Sequence, residues 1–297
     1  MSKRRKVSSR NGAASALPKP AKVRDVFVPR PFEGLVDEAE WIALRELVPA
    51  ATAPLSLAPE YAERFGDRSV TVATVLPMAW PALTKPDGRV LIGLQRNTQS
   101  GDASRDVALA VLQALETEPG QSVSVPATPG PGERLQDILS AAPLDITVRD
   151  GFDFWLDDEA SEDPDVRASL ERANASIYPT VRMTSAKAAY WCRVPDKAHL
   201  RWVLPDDEDA ALNALARLQT AGELTLGDGT KFAGMFRAHG RLVPVWDLPG
   251  APAGEEWEPA FAEFVTRYAD AFGASGDLTA DERRARHGLI GRQVTLR

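Results

Sequence analysis

A chain of 297 residues with 44% hydrophobic and 26% charged residues has the make-up of a folded globular protein, long enough for two ordinary domains or one large one. No run approaches the ~18 apolar residues a membrane-spanning helix needs, and a single cysteine excludes an internal disulfide and a cysteine-based zinc site. The net charge of −7 is split unevenly. Residues 1–30 carry nine Lys or Arg against one acid, a net of +8, while residues 31–297 carry 26 basic and 41 acidic residues, a net of −15.

A body that acidic is not a general nucleic-acid binder. The basic arm is suited to contact an anionic surface such as nucleic acid or the ribosome, and Lys3, Arg4, Arg5, Lys6 and Arg10 are its candidate contact residues. The same charge also suits a solubilising tail that folds back on the acidic body. A Ser/Ala/Asn/Gly stretch followed by Pro18, Pro20 and Pro29 predicts disorder over 1–29. The tail lacks the apolar segment of a secretory signal, which makes the cytosol the expected compartment. Only eight of the 35 basic residues are Lys, which reads as a high-GC bacterial coding bias.

Segment 30–66 reads as a linker and a capped helix. Asp37 with Glu40 three residues on has the form of a capping box, Val36 and Trp41 have the spacing of a hydrophobic staple, and Pro49 stops the helix. Trp41, Leu44 and Val48 share an apolar stripe that must dock on something. A Pro/Ala/Thr loop then leads to a short helix at Pro59–Phe65.

The first half of the body spans 67–183. It is expected to hold strands at Ser69–Pro77 and Arg89–Gln95, the second entered through the Lys85-Pro86-Asp87-Gly88 turn. A helix at Ala103–Leu115, a Pro/Gly-rich loop with a short strand at Gln121–Val125, and a brief helix at Arg134–Ser140 follow. Asp150-Gly151 predicts a hairpin between Leu144–Arg149 and Phe152–Leu156, ahead of a helix at Asp165–Ala175. The second half, 184–297, predicts a hairpin Ala186–Val194/His199–Leu204, a helix Asp206–Ala221 and a short strand Leu224–Leu226. A second hairpin, Lys231–Ala238/Arg241–Trp246, precedes helices at Glu255–Phe272 and Asp281–His287, and a last strand is expected at Gln293–Leu296. Each half thus reads strand, strand, helix, strand, strand, helix, an order that suggests internal duplication. The expected fold class is α+β, two similar ββαββα halves behind a disordered basic tail.

Chemistry-bearing motifs are sparse. The chain has no phosphate-binding loop, dinucleotide fingerprint or Gly-x-Ser-x-Gly elbow, and its three histidines, His199, His239 and His287, lie far apart. No cofactor and no metal ligand set are expected. Cys192 lies on an apolar strand beside Tyr190 and Val194 and reads as an inert buried thiol. Asp157, Asp158, Glu159, Glu162, Asp163 and Asp165 are the chemistry a hard cation prefers. Their spacing lacks the glycine turn of a calcium loop, and carboxylates gather as readily where a helix begins, which also accounts for Asp206, Asp207, Glu208 and Asp209. In the hairpin of the second half, Tyr190, Cys192, Val194, Leu200, Trp202 and Leu204 are expected on the core face. Trp191, Arg193, His199 and Arg201 then share the opposite one, as in a single-stranded nucleic-acid platform or a face covered by a helix.

The stretch RPFEGLVDEAEWIALRELVPAATAPL, with VLPMAWPAL and VLIGLQRN downstream, resembles an uncharacterised actinobacterial family, a domain of unknown function, over nearly the whole chain after the tail. Members of that family carry labels such as SecA-like preprotein translocase or topoisomerase. The Cys-rich zinc motif of some relatives has no counterpart here, and no SecA nucleotide site or topoisomerase tyrosine region is visible. The resemblance implies no catalytic residue.

These features together lead to the expectation of a non-enzymatic cytosolic binding or adaptor protein. Its body would recognise a protein partner and its tail an anionic surface. The alternative is an enzyme with a carboxylate-based, metal-assisted site between the two halves, motivated by the acidic loop Asp157–Asp165.

Overall fold

The computed structural model describes residues 26–66, 68–126, 128–157, 163–250 and 252–291. Among them the chain is α+β, with two five-stranded sheets and eight α-helices. Sheet one is built from β1 (Ala51–Leu55), β2 (Val70–Val75), β3 (Ala82–Thr84), β4 (Val90–Gln95) and β5 (Thr147–Val148), in the order β3-β4-β2-β1-β5. Sheet two holds β6 (Thr180–Arg182), β7 (Ala189–Arg193), β8 (Ala198–Trp202), β9 (Lys231–Ala238) and β10 (Arg241–Leu248), in the order β6-β7-β8-β10-β9.

The β-branched run SVTVATV forms β2, and the Lys85–Gly88 turn, with Gly88 at φ 89°, joins β3 to β4 as an antiparallel pair. That hairpin lays β4 parallel to β2, the one parallel pair of sheet one. Sheet two is antiparallel throughout. The expected duplication is therefore not shown. The strand, strand, helix order holds from β7 through α6 (Glu208–Ala221), β9, β10 and α7 (Glu258–Gly273). In the first half the anticipated hairpin around Asp150-Gly151 does not form. β5 pairs with β1 instead, and residues 153–155 make a single 3₁₀ turn in which Phe152 stacks on Trp155 with ring centroids 4.2 Å apart. The indole N–H of Trp155 donates to Val75 O at 3.0 Å, so the aromatic pair turns inward over the back of sheet one.

β1 forms where the sequence predicts a loop, and β3 and β6 form where it predicts no strand. The Pro54 in ATAPL speaks against a strand, because Pro lacks the N–H a ladder needs. β5 pairs only with Ala51 and Thr52, so Pro54 lies beyond its end and keeps a neighbour, β2, on one side alone. The strands expected at Gln121–Val125 and Leu224–Leu226 are absent, and Gln293–Leu296 lies outside the described residues.

The core has two main parts. The first joins α1 (Glu38–Glu46) and α3 (Ala103–Glu116) to Val70, Val72, Val90, Ile92 and Leu94 of sheet one, and also to Ala188, Tyr190, Val203, Ala238 and Val243 from sheet two and the residues beside it. The second places the other face of sheet two, with Trp191, Leu200, Trp202 and Trp246, against α6, α7 and α8 (Ala280–Ile290). Trp41, Ile42, Ala43 and Leu44 of α1 are each at most 2% exposed. A helix buried that completely is packed on both sides, and α1 is the element that both sheets share.

Gly93 in β4 marks the tightest backbone approach in sheet one, since a Cβ there would sit 2.7 Å from Trp80 O and 3.4 Å from Leu76 Cγ. A carbonyl fixed in the main chain cannot yield cheaply. Gly93→Ala is expected to lose about 1–3 kcal/mol in urea unfolding, whereas Gly130→Ala, with nothing within 4 Å of its Cβ, stays within about 0.5 kcal/mol.

Candidate functional site

The seam between the sheets is lined by the acids of α1 and its approach, and each meets a base from sheet two or the loops beside it. Glu38 accepts from Arg241 Nη2 at 2.7 Å and from Arg30 Nη2 at 3.0 Å. Glu40, 1% exposed, accepts from Arg182 Nη2 at 2.6 Å and from the hydroxyl of the fully buried Tyr190 at 2.7 Å. Asp37 accepts from Lys187 Nζ at 2.5 Å and from the Leu144 N–H at 3.1 Å. At the other end of the helix Glu46 lies 2.8 Å from His239 Nε2.

This arrangement corrects the expected capping box. Asp37 stands in the left-handed region at φ 60°, ψ 38° and makes no side-chain cap. Cationic side chains across the seam are stronger partners for a carboxylate than a helix-end N–H, and they take both carboxylates of the box. Their electrostatics follow. Burial pushes Glu38 up, but the hydrogen bonds from Arg241 and Arg30 outweigh it and hold its carboxyl below the usual range. The hydrogen bond from His239 does the same for Glu46 against the effect of burial. Burial first, then the neighbouring Glu40 carboxylate, pushes the Tyr190 phenol far up, so it stays a donor.

Of the expected tail contacts, Lys3, Arg4, Arg5, Lys6 and Arg10 all lie outside the described residues, as do residues 158–162 of the acidic loop. Asp157 lies 3.0 Å from the buried Lys85 Nζ, and Asp163 caps α5 (Pro164–Asn174) by accepting from the N–H groups of Asp165 and Val166. Asp207 caps α6 in the same way, Asp206 accepts from the Tyr268 hydroxyl, Glu208 pairs with Arg237 and Asp209 with Arg286. Helix starts and ion pairs account for these carboxylates, and the described residues hold no group of three or more His, Cys, Asp or Glu placed to share a metal ion.

The sheet face expected to alternate aromatic and basic residues is assembled differently. β7 and β8 pair with Tyr190 opposite Arg201, Trp191 opposite Leu200 and Cys192 opposite His199. Tyr190, Cys192, His199 and Arg201 therefore share the seam face, and Trp191 joins Leu200 and Trp202 under the helices. A register one residue away from the expected one exchanges the faces of a whole strand. Along one row the pairing sets Thr180, Cys192, His199, Asp247 and Lys231 side by side. His199 Nδ1 lies 2.9 Å from Asp247 Oδ1, and burial, opposed by that carboxylate, pulls the imidazole below its ordinary value. Cys192 is 3% exposed, and its sulfur accepts from Arg201 Nη2 at 2.8 Å.

Beside this row the seam opens into a cleft of about 160 Å³, lined by Glu46, Leu47, Val48 and Pro49 of α1 and the residues after it, Gln95 of sheet one, Thr180 and Arg201 of sheet two, and Tyr178 just before β6. No local pattern points to it. Its walls come from segments up to 155 residues apart, and only the packing of the two sheets brings Gln95 and Arg201 to one cleft.

Fold and seam together define an α+β protein whose two sheets share a central helix through matched charges. The chain matches the model of a family of unknown function (DUF5926) over residues 31–297, and it belongs to that family. No curated protein and no solved structure matches it.

Two outcomes follow from the seam. Glu40→Ala leaves a buried phenol and a guanidinium without their acceptor and is expected to cost about 3 kcal/mol, against about 1 kcal/mol for Tyr190→Phe, by urea denaturation. Glu38 and Glu46 are ionised more readily folded than unfolded, where they titrate near 4.5. Their contribution is present in full above that value and is lost as pH falls through it toward the depressed folded values. Urea midpoints measured from about pH 6 to pH 3 should fall with acid, and Glu38→Gln should flatten the fall.

Proposed function

We propose that the protein is a binding or adaptor protein, with an acidic body that recognises a protein partner and a basic tail that contacts an anionic surface such as the ribosome or nucleic acid. The observation that carries this reading is the charge split, +8 over residues 1–30 and −15 over 31–297. A cluster of cations joined to a body of opposite sign is held near an anionic polymer by counterion release while the body itself is repelled. The body stays available for a different partner.

The geometry at the root of the arm is compatible with this. Val28 N–H donates to Gly101 O at 2.8 Å, and the backbone of Val26 and Phe27 lies against Gly101 while the two residues are 65% and 79% exposed. The seam carboxylates, already matched to Arg182, Lys187, His239 and Arg241, are spoken for within the body. That weighs against the alternative of a carboxylate-based enzyme site between the halves.

Residues 1–22 contain seven Lys or Arg. Co-sedimentation of the full chain with ribosomes or single-stranded RNA over a salt series should show log K falling against log salt with a slope of up to about −5, at roughly −0.7 per phosphate neutralised. Deleting residues 1–22 should abolish both the binding and the slope. A profile unchanged by the deletion overturns the role given to the tail.

A further inference from the structure

The seam is closed by matched charges along α1, and it opens at a cleft where polar groups are left unspent. Arg201 uses Nη2 to donate to Leu47 O at 3.2 Å and to Cys192 Sγ at 2.8 Å. Its Nε is buried without a partner, and its Nη1 makes no hydrogen bond among the described residues. No carboxylate pairs with it among those residues, unlike Arg182 and Arg241 further along the seam. The Gln95 amide and the Tyr178 hydroxyl line the same cleft and likewise make no hydrogen bond there. Glu46 is the one acid in the lining, and it is held by His239 at 2.8 Å and by Arg45 at 3.4 Å. The cleft thus carries one uncompensated guanidinium inside a body of net −15. Leu47, Val48 and Pro49 supply an apolar wall.

We propose that this cleft binds a small ligand bearing a carboxylate. The volume of about 160 Å³ is well above the ~10–15 Å³ that a single water needs, and it admits a short-chain acid. Arg201 reaches the carboxylate through Nη1, the nitrogen it does not spend on Leu47 and Cys192 and the one that is not buried, in a charge-assisted hydrogen bond. Gln95 and Tyr178 serve the remaining ligand oxygens, and the alkyl portion lies on Leu47, Val48 and Pro49. A single guanidinium matches one negative charge, which favours a carboxylate over a phosphate dianion. The ligand bridges the two sheets, so binding tightens the seam. The site is on the body and uses no residue of the tail, so it stands or falls separately from the tail's role.

Calorimetric titration and thermal unfolding of the full chain with acetate, propionate, lactate and inorganic phosphate, at matched ionic strength, test the proposal. At least one of the three carboxylates is expected to bind saturably, to raise the melting temperature, and to bind more tightly than phosphate. Arg201→Gln and Gln95→Glu should each weaken that binding at least about tenfold, the equivalent of 1.4 kcal/mol. Should Arg201→Gln not fold by circular dichroism, Gln95→Glu decides alone. Absence of saturable binding of all three carboxylates to the wild-type chain, tighter binding of phosphate, or unchanged binding in the folded variants overturns the proposal.

Discussion

The structure depends on the carboxylate of Glu40, 1% exposed and shared between Arg182 and Tyr190. A carboxylate taken out of water is costly unless it is paired and hydrogen-bonded. α1 can therefore be buried only where a second surface supplies a cation and a donor at the right height, and the seam face of sheet two does so. Glu38, Asp37 and Glu46 repeat the arrangement with Arg241, Lys187 and His239. Against apolar residues of the same shape such pairs add little net stability, but losing one partner is expensive, which makes them devices for position. Ile42, Ala43 and Leu44 supply the apolar burial, and the acids determine how the helix is rotated and where each sheet meets it.

That division of labour explains which parts of the molecule were legible in the sequence. Elements with a local cause were read closely. The β-branched run of β2, the turn with Gly88 at positive φ, the helix at Pro59–Phe65 and the hairpin Lys231–Ala238/Arg241–Leu248 all lie where propensity and turn chemistry put them. So did the extent of α1, but not the use of its acids. Asp37 and Glu40 have the spacing of a capping box, and local chemistry alone gives them that role. Their actual partners lie 107 to 150 residues away. The strand at Ala51–Leu55 was hidden by Pro54, which is tolerated because β5 ends before reaching it. In the hairpin of β7 and β8 the strands were right and the register was not, so Trp191 and Tyr190 exchanged faces. Long-range pairing decides each of these cases, and neither composition nor periodicity encodes it locally.

The candidate site follows the same rule. The features that stood out in the sequence, the acidic runs before α5 and α6, are explained where described by caps and ion pairs such as Asp163 and Asp207 on helix N–H groups. The cleft at Arg201 has no local sequence signal because its lining is contributed by Gln95 from sheet one and by Thr180 and Arg201 from sheet two. It is distinguished by what its side chains leave unused, in contrast to the matched charges along the rest of the seam.

If the shared helix makes both sheets one cooperative unit, neither sheet can open while the other stays folded. Native-state hydrogen exchange tests this most directly, through the slowest amides of β4 and of β8. The account predicts that both sets exchange through the same global opening, with equal free energies and equal dependence on denaturant. Exchange of one set at a clearly lower free energy, with the other still protected, would contradict it.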